Sequence, residues 1–316
     1  MATPTVLVST WRDGVFALVG EARDQELAGQ SVRALAPDGR GGALAIVDSH
    51  ALRRRAAGGQ WNTLVTAEAD LACFVSVGEL IYIGTDDARL LRLGTNGDLA
   101  PLHGFDAVAG REKWYAGQAL VNGRMLGPPL GIRSITATAD GAALLANVHV
   151  GGISRSTDGG TTWQATIEID SDVHEVRAHP ERPEIVMAAA AVGLCISRDG
   201  GATWVVEREG LGATYCSAVA FAGEDVFLAA SEDHFAPKGG VYRRPVDVHS
   251  PLVVVGAGLP EWLDGIADTG CIATNGTAVA IADRNGSVYV SAGAGRRWSR
   301  WAGGLPTPSS VLVLCD

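Results

Sequence analysis

This 316-residue chain has no CxxC pair, no HExxH motif, no run of about 18 uninterrupted apolar residues and no excess of positive charge. Each absence removes a class of protein. The five cysteines, Cys73, Cys195, Cys216, Cys271 and Cys315, are odd in number and scattered. This is neither a disulfide framework nor a zinc-ribbon or thioredoxin-like spacing, and it fits reduced thiols in a cytosol. Without a long apolar run no helix spans a bilayer. Met1 to Gly14 reads as a strand and a turn, lacking the basic and apolar regions of a secretory leader, so the expected location is the cytoplasm. Acidic side chains outnumber basic ones 35 to 25, for a net charge of -10. That is a poor match to phosphate backbones and anionic lipid, so neither nucleic acid nor membrane is an expected partner. With no compact ligand motif, any metal must be held by residues from separate segments.

The chain is rich in apolar residues (47%) and in glycine (41 residues), as suits many short buried strands joined by tight turns. At this length the chain has room for two ordinary domains, but β-architectures often run longer as one unit, so residues 1–316 are expected to make a single domain. One octapeptide occurs twice, Ser156-Thr157-Asp158-Gly159-Gly160-Thr161-Thr162-Trp163 and Ser197-Arg198-Asp199-Gly200-Gly201-Ala202-Thr203-Trp204, at a spacing of 41 residues. The Asp and the hydroxyl residue close an Asx-type turn, the glycines permit positive φ, and the Trp folds back over the hairpin. The pattern resembles the Asp-box, or BNR, hairpin of sialidase-like and sortilin-like β-propellers, in which about 41 residues make one four-stranded blade. Gly295 with Trp298, and Gly58 with Trp61, keep the tail of the motif in eroded form.

Around these anchors, alternating apolar runs sort into units at 31–66, 70–104, 132–168, 173–208, 215–256 and 270–303. Strands remain at both ends: TVLVST and GVFALV within Thr5 to Val19, and SSVLVLC from Ser309 to Cys315. Together they make a seventh unit. The expected fold is therefore an all-β, seven-bladed propeller closed by strands from both termini, with six blades as the alternative if the first unit fails to form.

In an up-and-down blade the octapeptides are turns between the third and fourth strands. They lie on the face opposite the inter-blade connections and the turns between the second and third strands. The residues able to do chemistry gather on that second face. His50 and His149 fall in its turns, while Trp114, Arg133, His174, Tyr215, Cys216, Trp262, Asp264 and Asp268 fall in or beside its connections. Residues 104–131 form a Gly- and Pro-rich excursion, far longer than the usual connection of about 4 to 6 residues, and are expected to lie over the channel mouth.

Three readings of this set stay open. His149 and His174 act as acid–base groups assisted by Tyr215 and Asp268; or His50, His149 and His174 hold a divalent transition metal; or the face binds a ligand or protein without catalysis. In the first, Arg133 anchors negative charge, Trp114 and Trp262 wall the pocket, and Asp264 and Cys216 touch the substrate. The expected substrate is a small polar or anionic molecule, and the reaction hydrolytic or lyase-like. More widely the chain resembles bacterial sialidase-like, BNR-repeat proteins often labelled glycosyl hydrolases without an assigned reaction, through stretches such as VHVGGISRSTDGG, DVHEVRAHP, TYCSAVA and LPEWLDG. The resemblance implies a site on the same face. True sialidases carry an arginine triad, a Tyr–Glu pair and an early Arg-Ile-Pro motif; here Arg12 precedes Asp13 and Gly14, which puts sialidase activity in doubt.

Overall fold

The computed structural model describes residues 3–117, 119–121, 124–126 and 130–314. Seven antiparallel sheets, each with a four-stranded path, are the blades of a seven-bladed β-propeller. In chain order, the inner strands of blades 1 to 6 are Val32–Pro37, Leu71–Val77, Ile132–Ala137, Val173–Ala178, Tyr215–Ala222 and Ile272–Asn275. Blade 7 takes its inner strand, Pro308–Leu314, from the C-terminal end and its other three, Thr5–Thr10, Val15–Val19 and Ala22–Glu26, from the N-terminal end. This is the composite blade expected from the leftover strands, with Cys315 outside the described residues. Among the described residues helix is confined to single turns such as His103–Asp106 and Ile169–Ser171. No helix among the described residues is long and apolar enough to cross a membrane.

The chain divides into two compact units, residues 67–207 with blades 2 to 4, and residues 1–66 with 208–316 carrying blades 5, 6, 7 and 1. Burial explains why the second strands are almost wholly apolar. Ala43–Val47, Leu144–Val148, Val186–Ala190 and Ala278–Ala282 are buried at every position. Within a unit such a strand serves two neighbouring blades with alternate side chains. In the 67–207 unit Leu144, Ala146 and Val148 pack toward blade 2 with Ile132, Tyr82 and Trp163. Leu145, between them, joins Val173, Val176 and Val186 of blade 4.

The octapeptides are hydrogen-bonded turns that also dock blades. Ser156 Oγ accepts from the Gly160 N–H at 2.9 Å, and Asp158 accepts from the Thr162 N–H at 2.9 Å and its hydroxyl at 2.6 Å. Asp199 and Thr203 repeat this geometry. The second glycine has a further constraint. At Gly201 φ is +85°, and a Cβ would lie 2.1 Å from Leu145 Cδ2 of the preceding blade. Phe227 presses in the same way on Gly295 of the eroded copy, at 2.4 Å. Trp163 and Trp298 fold back to the carbonyls of Gly160 and Gly295. Trp204 does not; its indole N–H donates instead to Thr166 Oγ1 of blade 3 at 3.1 Å.

Residues 104–131 contain the end of the one-turn helix, a 3-10 turn at Arg111–Lys113 and a hairpin of Ala119–Val121 with Arg124–Leu126. Residues 118, 122–123 and 127–129 of this excursion lie outside the described residues.

The turn carboxylates give a pH signature. Hydrogen bonds from the Thr162 side chain and backbone, then from Ser156, hold Asp158 at about 2 instead of the ordinary 3.8. For Asp199 partial burial pushes upward, but the bonds from Thr203 and Ser197 outweigh it and bring it also to about 2. A carboxyl lowered in the folded state stabilises fully above its unfolded value, and that contribution is lost as pH falls toward 2. Thermal midpoints of the native protein and of the Asp158→Asn, Asp199→Asn variant should therefore differ most above pH 4 and converge near pH 2, as followed by circular dichroism.

Candidate functional site

The inner strands carry a repeated irregularity. Their register against the second strand slips between Val32 and Leu35, Leu71 and Cys73, Ile132 and Ser134, Val173 and Glu175, and Cys216 and Ala218. In blade 7 the slip leaves out Ser309. A bulged residue has no ladder partner, and the bend re-aims its side chain. In the 67–207 unit the bulged residues are Ala72, Arg133 and His174. Two of the candidate residues thus occupy equivalent positions on adjacent blades.

A buried polar seam fixes these two blades beside each other. Asn147, fully buried, donates from Nδ2 to the Val173 carbonyl at 2.8 Å and accepts from the Ser134 hydroxyl. Ser134 Oγ also accepts from the Val176 N–H at 2.8 Å, and Thr136 Oγ1 accepts from the Ala178 N–H at 3.0 Å. His149 lies two residues beyond Asn147 and His174 one residue beyond Val173, so the seam sets both. The His149 backbone N–H donates to the Gly131 carbonyl at 3.1 Å. Its imidazole Nδ1 accepts from the Gly117 N–H at 3.1 Å. This leaves Nε2 as the protonated nitrogen of the neutral ring. Gly117 is close enough that a Cβ there would sit 2.7 Å from Nε2.

Between these groups stands Asp172, which ends the 3-10 turn Ile169–Ser171 with φ of +45°. Left-handed backbone is uncommon for a residue other than glycine, although Asp tolerates it better than most. Its carbonyl accepts from the Ala191 N–H at 2.9 Å, which locks the corner. The carboxylate Oδ2 lies 3.6 Å from His174 Nε2, where His174 is 1% exposed. Oδ1 is buried with no hydrogen-bond partner among the described residues. Burial pushes this carboxyl upward, but His174, then His149 and Arg133, outweigh it and hold it below the ordinary value. The arrangement offers an ionised carboxylate, an oriented imidazole donor and a guanidinium within one electrostatic neighbourhood.

Asp172 was absent from the candidate set. The available signal was an Asp two residues before the His at the start of a blade. Trp114 is placed in a hydrophobic cluster, 7% exposed, its ring centroid 5.5 Å from that of Phe105 and with the Arg111 guanidinium 4.9 Å over it.

The remaining candidates belong to the other unit. Tyr215 starts the inner strand of blade 5 opposite Ser231, and Cys216 beside it is fully buried. Asp268 lies 3.7 Å from Arg284 Nη2 and 3.9 Å from His234 Nδ1. Asp264 pairs with Lys238 across a short strand, and Trp262 is 42% exposed with Lys238 Nζ 4.6 Å from its ring. His50 follows two positive-φ residues, Asp48 and Ser49, in a tight turn. Among the described residues no three His, Cys, Asp or Glu side chains gather to hold a metal, so His50, His149 and His174 do not form such a group.

No family model matches the chain, and no curated protein matches it. Solved structures do. A functionally unknown protein from Desulfotomaculum acetoxidans superposes with a TM-score of 0.66 at 10% identity, covering 99% of each chain. A GH74 enzyme of Niastella koreensis gives 0.62 at 12% identity over 93% of this chain. This chain spans just 46% of that enzyme's length. YCF48 bound to a D1 peptide gives 0.56 at 12% identity, covering 95% of this chain and 86% of that one. At such identities the likeness is one of fold.

If the seam positions the site, Asn147→Ala should leave the Val173 carbonyl and the Ser134 hydroxyl short of a partner. A loss of about 2 kcal/mol is expected, read as a lower urea midpoint at unchanged slope.

Proposed function

We propose that the cluster of Asp172, His174, His149 and Arg133 binds a small polar or anionic molecule and performs acid–base chemistry on it, of hydrolytic or lyase type. The observation that carries this reading is Asp172, a left-handed residue whose half-buried carboxylate faces His174 with one oxygen and leaves the other unbonded among the described residues. Strained, charge-compensated groups of this kind cluster at functional sites. In this reading Asp172 accepts a proton from the substrate or from an attacking water. His149 donates a hydrogen bond from Nε2 to the departing atom and stabilises its developing charge, the proton taken up by Asp172 is returned to that atom, and Arg133 holds the substrate's negative charge. His174 orients Asp172 and shares its charge.

The octapeptides support an Asp-box propeller of the sialidase-like kind, because their bonds are those of that turn. Their role here is to dock blades. None of the four described cysteines forms a disulfide, which supports a cytoplasmic setting, and the net charge of -10 argues against nucleic acid and anionic lipid as partners. The competing reading is a non-catalytic binding propeller, favoured by the shared fold of YCF48 bound to a D1 peptide.

A panel of fluorogenic glycosides, carboxylic esters and phosphate esters tests the proposal. Turnover of at least one class is expected. It should fall about a hundredfold in Asp172→Asn and in His149→Gln, with KM rising in Arg133→Gln and thermal midpoints retained. Turnover unchanged in all three variants would refute the assignment; saturable binding without turnover would favour the non-catalytic reading.

A further inference from the structure

A second cluster of charged side chains lies in the unit formed by residues 1–66 and 208–316, built by three loops. They are the turn of blade 5 that carries His234 and Phe235, the connection that carries Trp262 to Asp268, and the turn of blade 6 that carries Asp283 and Arg284. Backbone bonds lock the three together. Gly265 N–H donates to the Pro237 carbonyl at 2.8 Å, and Arg284 N–H to the Ile266 carbonyl at 2.9 Å. Lys238 pairs with Asp264 and Gly239 with Leu263. Asp283, fully buried, accepts from the Ser287 N–H at 2.9 Å and from the Asp264 N–H at 3.4 Å. Gly265, at φ +85°, lets the connection pass Arg284, whose Cβ would lie 3.0 Å from any Cβ there.

This frame holds a guanidinium that its neighbours only partly engage. Arg284 Nη2 lies 3.2 Å from His234 Nε2 and 3.7 Å from a single oxygen of Asp268. Its Nε and Nη1 make no hydrogen bond among the described residues. Arg55 of the same unit shows what a satisfied fork looks like, gripping both oxygens of Glu26 at 2.7 and 2.8 Å. Flanking the cluster are two exposed aromatic side chains, Phe235 at 55% and Trp262 at 42%. The His234 and Phe235 rings meet edge to face at 5.0 Å, and Lys238 Nζ lies over Trp262.

We propose that Arg284, with Lys238, His234, Trp262 and Phe235, forms a binding site for a small aromatic carboxylate, separate from the cluster around Asp172. A carboxylate meets the planar fork with two parallel bonds. The flat body of the ligand covers indole and phenyl surface that is otherwise left in water. Charge selects the class further. Asp264, Asp268, Asp233 and Glu232 stand in the same loops, so a single negative charge is tolerated where a phosphate dianion is repelled.

Benzoate titrated into the full chain, followed by the indole N–H resonances with Trp262 assigned through Trp262→Phe, tests the site. The Trp262 signal should shift saturably with benzoate, and inorganic phosphate at equal ionic strength should not reproduce it. Arg284→Gln should weaken benzoate at least tenfold and Arg284→Lys by less, while Arg133→Gln in the other unit leaves it unchanged. The proposal is overturned by any of three outcomes: no saturable shift, an equal response to phosphate, or unaltered binding in Arg284→Gln with its other indole resonances in place. Activity at Asp172 neither supports nor excludes it.

Discussion

A four-stranded sheet with two apolar faces cannot stand alone in water, and the rest of this structure follows from that constraint. The second strands are buried on both sides, so each blade needs a neighbour on each side. The order of the chain leaves one blade short of an inner strand and the other end of the chain with one strand to spare. Pairing Pro308–Leu314 with Thr5–Thr10 resolves both shortages and leaves neither strand as an exposed edge. The recurring glycine turns serve the same need. Gly201 and Gly295 are small because Leu145 and Phe227 of the preceding blades occupy the space a side chain would take.

Close packing of blades also fixes the polar side chains of the proposed site. Neighbouring inner strands must approach without leaving buried polar groups unpaired, and the Ser134–Asn147–Val173 seam satisfies that demand between blades 3 and 4. A seam this rigid holds His149 and the bulged His174 in fixed positions. The bulge frees Arg33 and Ala34 in blade 1, Ala72 in blade 2, Ser217 in blade 5 and Ser309 in blade 7 from the ladder, while the inner strand of blade 6 pairs without a slip. In blades 3 and 4 it frees Arg133 and His174.

Much of the fold was legible in the amino-acid sequence because its determinants are local. The octapeptides set the repeat length, and period-two apolar runs located every blade, including the composite one. His149, His174 and Arg133 were placed by counting turns, and all three contribute to the electrostatics of Asp172. Asp172 itself was missed because its two-residue spacing before His174 is a weak signal, and the left-handed corner and the burial that single it out appear only in three dimensions. His234 and Arg284 were visible as loop residues, but their contact with Asp268 depends on the path of the 256–271 connection. Trp114, expected as a pocket wall, is drawn into a hydrophobic cluster. Phe105, nine residues before it, packs against its ring and in turn meets Trp163 of the octapeptide turn edge to face.

The fold neighbours pair a glycoside hydrolase with a peptide-bound propeller, so architecture alone does not choose a function. The proposed site rests instead on Asp172, whose carboxylate faces His174 at 3.6 Å and is held below its ordinary value by His174, then by the charges of His149 and Arg133. Carbon-13 NMR of the aspartate carboxyls across pH measures this directly. Asp172 should titrate below the ordinary aspartate value and move upward when either His174 or His149 is replaced by Gln, more strongly for His174. Titration at or above the ordinary value, indifferent to both replacements, would contradict the account.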